Sequence, residues 1–171
     1  MKPAALATIA GVLLVAALFA GWAIPVSRAY QATPEAAAPV VISSEVFAQA
    51  SPAAVRDAEL AIGRVTIMPG AVIPVHYHPG TQVAVVVQGE LTYTVFTGDV
   101  LWRRAESDAS GGEAIAIGET VKVRTGDALV ESPGSRHQGR NNGSVPVVIY
   151  LSTLFPAGAP RSIIVEGTPV P

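Results

Sequence analysis

Residues 70–89 read GAVIPVHYHPGTQVAVVVQG, and this stretch decides the fold class. Two β-branched and apolar runs, 71–76 and 81–87, are separated by Pro79-Gly80 and followed by Gln88-Gly89. Short apolar runs between such turn signals are typical of β-strands. The second run is apolar on both faces, which predicts either a central strand or a face that a second subunit covers.

The same pattern continues on both sides of this stretch. Similar runs occur at 59–68, 90–96, 120–123, 128–131 and 145–151, with Gly, Pro and Asn between them. None is followed by a long helical pattern, so a parallel α/β sheet is disfavoured. We predict an all-β antiparallel sandwich or barrel over residues 45–166, with the polar segment 97–119 as a loop, a lid or a solvated insertion.

The composition excludes several classes of function. Of 171 residues, 11 are Lys or Arg and 13 are Asp or Glu, so the net charge of −2 argues against a nucleic-acid-binding protein. The absence of cysteine excludes disulfide scaffolds, thiolate zinc sites and a cysteine nucleophile. Sixteen glycines and 14 prolines suit many short strands joined by tight turns.

The N-terminal segment predicts export. Residues 4–24 form an uncharged, almost wholly apolar run after Lys2, and Ser27 and Ala29 are small residues at −3 and −1 of a cleavage site after Ala29. We predict that residues 1–29 form an apolar helix outside the domain. This helix is a signal peptide, or a retained membrane anchor, since about 20 apolar residues in a helix span a bilayer. Both place the folded part outside the cytoplasm, secreted or periplasmic. We interpret residues 30–44 as an Ala/Pro linker and 167–171 as a loose tail.

The chain has three histidines, His76, His78 and His137. On a strand, His76 and His78 point to the same face because side chains alternate. Two neighbouring imidazoles facing a barrel interior are well satisfied by a divalent metal ion at about 2.0–2.2 Å. An H-x-H pair by itself is also compatible with two exposed histidines on an edge strand.

Two spaced motifs resemble the conserved motifs of the cupin superfamily, and all three histidines fall in the family's histidine positions. The motifs are Gly70-x5-His76-x-His78-x3-Gln82-x6-Gly89 and Gly126-x5-Ser132-x-Gly134-x2-His137-x3-Asn141. The likeness is to small single-domain cupins of the quercetin-dioxygenase type. It implies an antiparallel double-stranded β-helix, or jelly-roll barrel, that holds a metal ion inside one end and forms a homodimer.

The chain departs from the family pattern at two positions. Ser132 stands where the family has proline, and Gln82 stands where it has a glutamate ligand. Glutamine leaves the charge of the ion uncompensated and binds only through a neutral carbonyl oxygen. We therefore expect His76, His78 and His137 as metal ligands, with Gln82 as a distant ligand or as a donor to a bound ligand or water. Glu131 is the nearest acidic candidate for an acid–base role, and the sequence leaves its facing open.

The resulting hypothesis is an exported single-domain cupin that binds one divalent transition metal, iron, manganese, nickel or zinc without ranking. An oxygenase acting on a small enol, catechol or carboxylate compound is the first enzymatic possibility. The alternative is a non-catalytic cupin that binds or senses a small ligand in the cell envelope, which the neutral Gln82 favours. Whether the protein is an enzyme stays open at this point.

Overall fold

The computed structural model describes residues 41–107 and 111–166, in which every regular element is a β-strand. The strands are β1 (Ile42–Ala50), β2 (Ala58–Ile67), β3 (Val72–Tyr77), β4 (Thr81–Gln88), β5 (Glu90–Thr97), β6 (Val100–Arg103), β7 (Glu113–Ala114), β8 (Thr120–Arg124), β9 (Ala128–Glu131), β10 (Arg136–Arg140), β11 (Val147–Pro156) and β12 (Ile163–Ile164). The predicted all-β antiparallel class is confirmed. The predicted N-terminal helix lies outside the described residues, and none of the described segments is a helix that could cross a bilayer.

The strands form two antiparallel sheets. A seven-stranded sheet has the order β1-β2-β11-β4-β9-β6-β7, and a five-stranded sheet has the order β12-β3-β10-β5-β8. Side chains of both sheets share one hydrophobic cluster, for example Ile67, Val86 and Val147 from the first sheet and Val95 and Val123 from the second. The interior therefore lies between the two sheets, as expected for layers that each bury one face.

Gly89 and Asn141 lie at two positions where neighbouring segments of the backbone approach each other closely. Gly89, between β4 and β5, has φ of +80°, and an added Cβ would lie 2.8 Å from the carbonyl oxygen of Pro146. Asn141 follows β10 and is fully buried. Its Nδ2 donates to the carbonyl oxygens of Ile67 and Val145, both at 2.8 Å. These contacts fix the ends of the strands that carry the polar residues described below.

Seven strands coincide with the apolar runs of the sequence, and five do not. The additional ones are β1, β6, β7, β10 and β12. The segment 97–119, predicted as a loop, a lid or a solvated insertion, contains the strands β6 and β7. The first residue of β6, Val100, is fully buried in the core. The sequence of β10, RHQGR, contains no aliphatic or large apolar residue, although His137, Gln138 and Gly139 are buried. The first strand begins at Ile42, three residues before the predicted domain start at 45.

The central position predicted for the doubly apolar run 81–87 is confirmed, since β4 pairs with β11 on one side and β9 on the other. Its outer face is nonetheless exposed. Together with β2 and β11 it forms a patch of aliphatic and aromatic side chains that are each between 38% and 49% exposed. We call this the outer patch; its members are Leu60, Ile62, Val83, Tyr150 and Leu154.

Candidate metal centre

The three histidines come from neighbouring strands of the five-stranded sheet. His76 lies in β3, His78 directly after it, and His137 in β10. His76 and His137 are register partners, so their side chains leave the same face of the sheet. The ring centroids of His76 and His78 are 5.0 Å apart, which confirms that both lie on one side. All three are at least 94% buried, so the interpretation as exposed edge-strand histidines is wrong.

Backbone carbonyl groups hold each imidazole ring through its Nδ1 atom. The acceptors are the carbonyl oxygen of Pro74 for His76 (2.8 Å), of Arg161 for His78 (2.6 Å) and of Ser135 for His137 (3.0 Å). A carbonyl oxygen only accepts, so Nδ1 carries the proton and Nε2 of each neutral ring keeps a free lone pair. The ligand atoms that the three rings offer lie within 4.8 Å of one another. This arrangement predisposes the rings to share one ion.

Aromatic neighbours restrict the orientation of two of the rings. Tyr93 stacks on His137 with centroids 5.2 Å apart and an interplanar angle of 22°. Phe155 stacks on His78 at 5.7 Å and 17°. These contacts and the Nδ1 hydrogen bonds limit the rotamers that each imidazole can adopt.

The seven-stranded sheet contributes Gln82 and Glu131 from the opposite side. They are register partners in the β4–β9 pair and are 8% and 3% exposed. Oε2 of Glu131 lies 3.3 Å from Nε2 of His78, and Oε1 lies 3.6 Å from Nε2 of His137. Glu131, whose facing the sequence left open, thus points at the free nitrogens of the histidines.

Gln82 reaches the same point through its amide nitrogen. Its Nε2 donates to Oε2 of Glu131 at 2.8 Å and lies 3.3 Å from Nε2 of His78. A ligand role for Gln82 requires the carbonyl oxygen of its side chain. The NH2 group acts only as a hydrogen-bond donor, because the lone pair of its nitrogen is delocalised into the carbonyl group. Of the two roles predicted for Gln82, its hydrogen bonding favours that of a donor; ligation by Gln82 stays a prediction.

Tyr93 is the residue of this site that sequence reasoning missed. Its hydroxyl donates to Oε1 of Glu131 at 2.8 Å, and the side chain is 2% exposed. Leu91, Tyr93 and Val95 alternate along β5 as its inward stripe. A tyrosine in such a stripe requires a buried partner for its hydroxyl, and this signal in the sequence points to a polar interior.

The pKa values follow from burial and from the Glu131 carboxylate. Burial raises the pKa of Glu131, but the neighbouring His137 and the hydrogen bonds of His78 and Tyr93 outweigh it and hold the pKa below its usual range. Burial together with the neighbouring His137 lowers the pKa of His76 to about 4. Burial also lowers the pKa of His137. Burial acts in the same direction on His78, but the hydrogen bond and charge of Glu131 and the hydrogen bond to the Arg161 carbonyl together outweigh it and raise the pKa of His78. At neutral pH the centre therefore contains a carboxylate and at least two neutral imidazoles.

A cavity of about 190 Å³ adjoins these groups. Apart from the polar residues already named, aliphatic side chains of both sheets line it, among them Val65, Ile73, Leu129, Ile149 and Leu151. It is smaller than the clefts of roughly 300–1,000 Å³ that hold drug-sized ligands.

The donor set fits a divalent transition metal. Three imidazole nitrogens are ligands that zinc, iron, nickel and copper accept, and the surrounding aliphatic residues limit competition from water. Within the described residues His76, His78 and His137 form a group able to hold such an ion.

Comparison with known proteins gives one partial family match. A family model described as "Cupin domain" matches residues 63–103, which include His76, His78 and Gln82 but end before Glu131 and His137. No curated protein matches the chain.

Solved structures with the same kind of fold include two bacterial proteins. An oxalate decarboxylase of Lactobacillus farciminis, solved as a formate complex, is 22% identical over 62% of this chain and 26% of its own, with a TM-score of 0.44. An uncharacterized conserved Klebsiella pneumoniae protein with a double-stranded β-helix domain is 21% identical over 73% of this chain and 84% of its own, with a TM-score of 0.46. The chain thus spans about a quarter of the decarboxylase. Likeness at this level describes a fold and carries no argument about a reaction.

Proposed function

We propose that the chain is a cupin that binds one divalent transition metal ion through His76, His78 and His137. We further propose that the loaded protein is an oxygenase for a small molecule with an apolar body and a metal-chelating oxygen group. Iron, manganese, nickel and zinc all accept imidazole ligands, so the donor set leaves these metals unranked.

One observation carries the proposal. The three Nε2 atoms are buried and lie close together, while each Nδ1 is held by a backbone carbonyl group. Buried polar atoms are normally hydrogen-bonded, and three adjacent lone pairs cannot satisfy one another. The amide of Gln82 reaches only that of His78, at 3.3 Å. A cation is the partner that satisfies all three at once.

The protein's own residues then bind and orient the small molecule. A bound transition metal supplies Lewis acidity and redox chemistry. The aliphatic walls of the cavity exclude water and hold the apolar body. Tyr93, whose pKa is raised by burial and by the charge of Glu131, keeps its hydroxyl proton. Glu131 is the carboxylate near enough to accept a proton from a molecule bound at the histidines.

A second candidate, a cupin that binds or senses a small ligand without turnover, is favoured by Gln82. An amide has no acid–base function at neutral pH, and this one is already committed to Glu131 and His78. For a binder we expect a ligand to raise the melting temperature without oxygen uptake.

Metal analysis combined with oxygen uptake tests the proposal. The purified protein is expected to retain about one equivalent of iron, manganese, nickel or zinc after reconstitution, and His137→Ala less than about 0.1 equivalent. An oxygen electrode then screens small catechols, enols and carboxylates, with His76→Ala as the control. Equal metal retention by His137→Ala would overturn the metal site. Metal binding without oxygen uptake would replace the oxygenase by the binder.

We also propose that the apolar segment 4–24 directs export, so that the domain acts in the periplasm or outside the cell. Two forms fit the sequence, a mature chain that starts at Tyr30 and a chain anchored by the uncleaved segment. N-terminal sequencing of protein recovered from the native host distinguishes them.

We propose a homodimer in which a second copy covers the outer patch. Register pairs Leu60 with Leu154, and Ser152 with both Ile62 and Val83, so the patch is continuous across β2, β11 and β4. Contiguous exposed apolar surface of this kind is typical of protein–protein contacts.

A further inference from the structure

We propose that Glu131 supplies the anionic ligand that position 82 lacks, so that the ion is held by three histidines and a carboxylate donated from β9. This inference rests on the proposed metal binding and deepens it. It assigns to Gln82 and Tyr93 the role of positioning residues for Glu131.

The sheet register allows a carboxylate at position 131 to replace one at position 82. Gln82 and Glu131 face each other directly in the antiparallel β4–β9 pair. The Cβ atoms of such partners are about 4.5–5.5 Å apart on the same face. A carboxylate on either residue therefore reaches the same point of the interior.

The distances match those between ligands of one ion. Two donor atoms that each bind an ion at about 2.1 Å are about 3.0 Å apart at a right angle and about 3.4 Å apart at a tetrahedral angle. The carboxylate oxygens of Glu131 lie 3.3 Å from Nε2 of His78 and 3.6 Å from Nε2 of His137. Each oxygen thus lies at ligand distance from a different imidazole.

The hydrogen bonds of Glu131 fix the orientation of its carboxylate. Gln82 donates to Oε2 and Tyr93 donates to Oε1, both at 2.8 Å. Neither donor is charged, and neither His78 nor His137 carries a permanent positive charge. A buried carboxylate is stable when a cation neutralises it. An ion bound by the histidines is that cation, and it restores the charge compensation that glutamine at position 82 removes.

In this arrangement Gln82 positions the Glu131 carboxylate and is not itself a metal ligand. It turns its NH2 group toward Glu131, so its own carbonyl oxygen does not compete for the ion. Groups that hydrogen-bond a metal-ligating carboxylate typically change metal affinity by 10–100-fold when they are removed.

Four forms of the full protein test the inference with Co²⁺ as the probe, by calorimetric titration and visible absorption. They are wild type, Glu131→Gln, the swap variant Gln82→Glu/Glu131→Gln, and His137→Ala. Glu131→Gln is expected to lower Co²⁺ affinity at least about 10-fold and to change the absorption bands of the bound ion. The swap variant, which returns the carboxylate to β4, is expected to bind within about threefold of wild type.

The outcomes separate this inference from the proposed function. Wild-type affinity and bands in Glu131→Gln, together with loss in His137→Ala, overturn the carboxylate ligand and leave the histidine site standing. Failure of wild type to bind Co²⁺ overturns both. Should Glu131→Gln not fold by circular dichroism, the infrared difference spectrum of wild type on adding Co²⁺ decides. A shifted carboxylate stretch supports Glu131, and an unchanged carboxylate region overturns it.

Discussion

Around β2, β4, β9 and β11, the seven-stranded sheet departs on both faces from the arrangement usual in β-proteins. Inside, β4, β9 and β11 bury the polar side chains of Gln82, Glu131 and Thr153. Outside, β2 and β4 expose Ile62 and Val83. In an ordinary sheet the apolar side chains pack inward and the polar ones meet water. We propose that each face is completed by something outside the chain, an ion inside and a second copy outside.

The two faces differ in what their partner must supply. The inner face requires a positive charge from its partner, because the Glu131 carboxylate lies beside imidazoles that are mostly neutral. The outer patch requires only removal of apolar area from water, worth about 25 cal/mol per Å². Changes on the inner face should therefore alter metal binding and pH dependence, and changes on the outer patch should alter oligomeric state alone.

Adding or removing the metal ion is expected to have the largest effect. An ion at about 1,000 times its dissociation constant stabilises a folded protein by about 4 kcal/mol. For a domain of this size the melting temperature should rise by about 10 °C or more when Co²⁺ is added to chelator-treated protein. Differential scanning fluorimetry measures this directly.

The controls for this shift come from the two faces. His76→Ala removes one inner ligand and should abolish the rise, whereas Val83→Thr, on the opposite face of β4, should keep it. A rise of equal size in His76→Ala would mean that the ion stabilises the protein from another place.

Acid is expected to destabilise the metal-free protein by a slightly smaller amount. His76 has a pKa of about 4 in the folded protein, against an ordinary value of 6.5. The unfolded chain binds this proton more tightly, so the contribution of His76 to stability is full above pH 6.5 and falls as the pH drops toward 4, by roughly 3 kcal/mol. Glu131, whose folded pKa is depressed, acts in the same direction below its unfolded value of 4.5.

Urea unfolding of chelator-treated protein between pH 7.5 and 4.5 measures this slope. His76→Gln removes the titrating group and should flatten the profile at the upper end of the window. Unchanged stability of wild type across the whole range would contradict the assignment of His76 as a neutral buried imidazole.

The histidines could be predicted from the sequence because their function depends on spacing. His76 and His78 share a face by strand periodicity, and all three histidines fall in the motif positions. Glu131 could not be assigned, because its position opposite Gln82 depends on the pairing of β4 with β9, which are 40 residues apart in the chain. The strand β10 could not be predicted from an apolar pattern, since its buried residues are His137, Gln138 and Gly139.

Removing one hydrogen bond to Glu131 is expected to have an intermediate effect. Tyr93→Phe and Gln82→Ala each delete one donor to the carboxylate, so each should lower Co²⁺ affinity by about 10-fold. Tyr93→Phe should also lower the free energy of unfolding by about 1 kcal/mol. Titration calorimetry and urea unfolding give the two quantities, and Val83→Thr is again the matched control. Wild-type affinity in both variants would show that Glu131 needs no positioning.

A charge on the outer patch is expected to have the smallest effect on the folded chain and a clear effect on assembly. Ile62 is 49% exposed, so Ile62→Lys should change the free energy of unfolding of the monomer by less than about 0.5 kcal/mol. Because Ile62 and Val83 lie on either side of Ser152 in register, the lysine would be placed within the proposed dimer contact. Light scattering should show a dimer for wild type and a monomer for Ile62→Lys, with unchanged Co²⁺ stoichiometry. Ile117→Lys is the control, because Ile117 is 68% exposed but lies off this face. If both variants dissociate, or neither does, the outer patch is not the dimer contact.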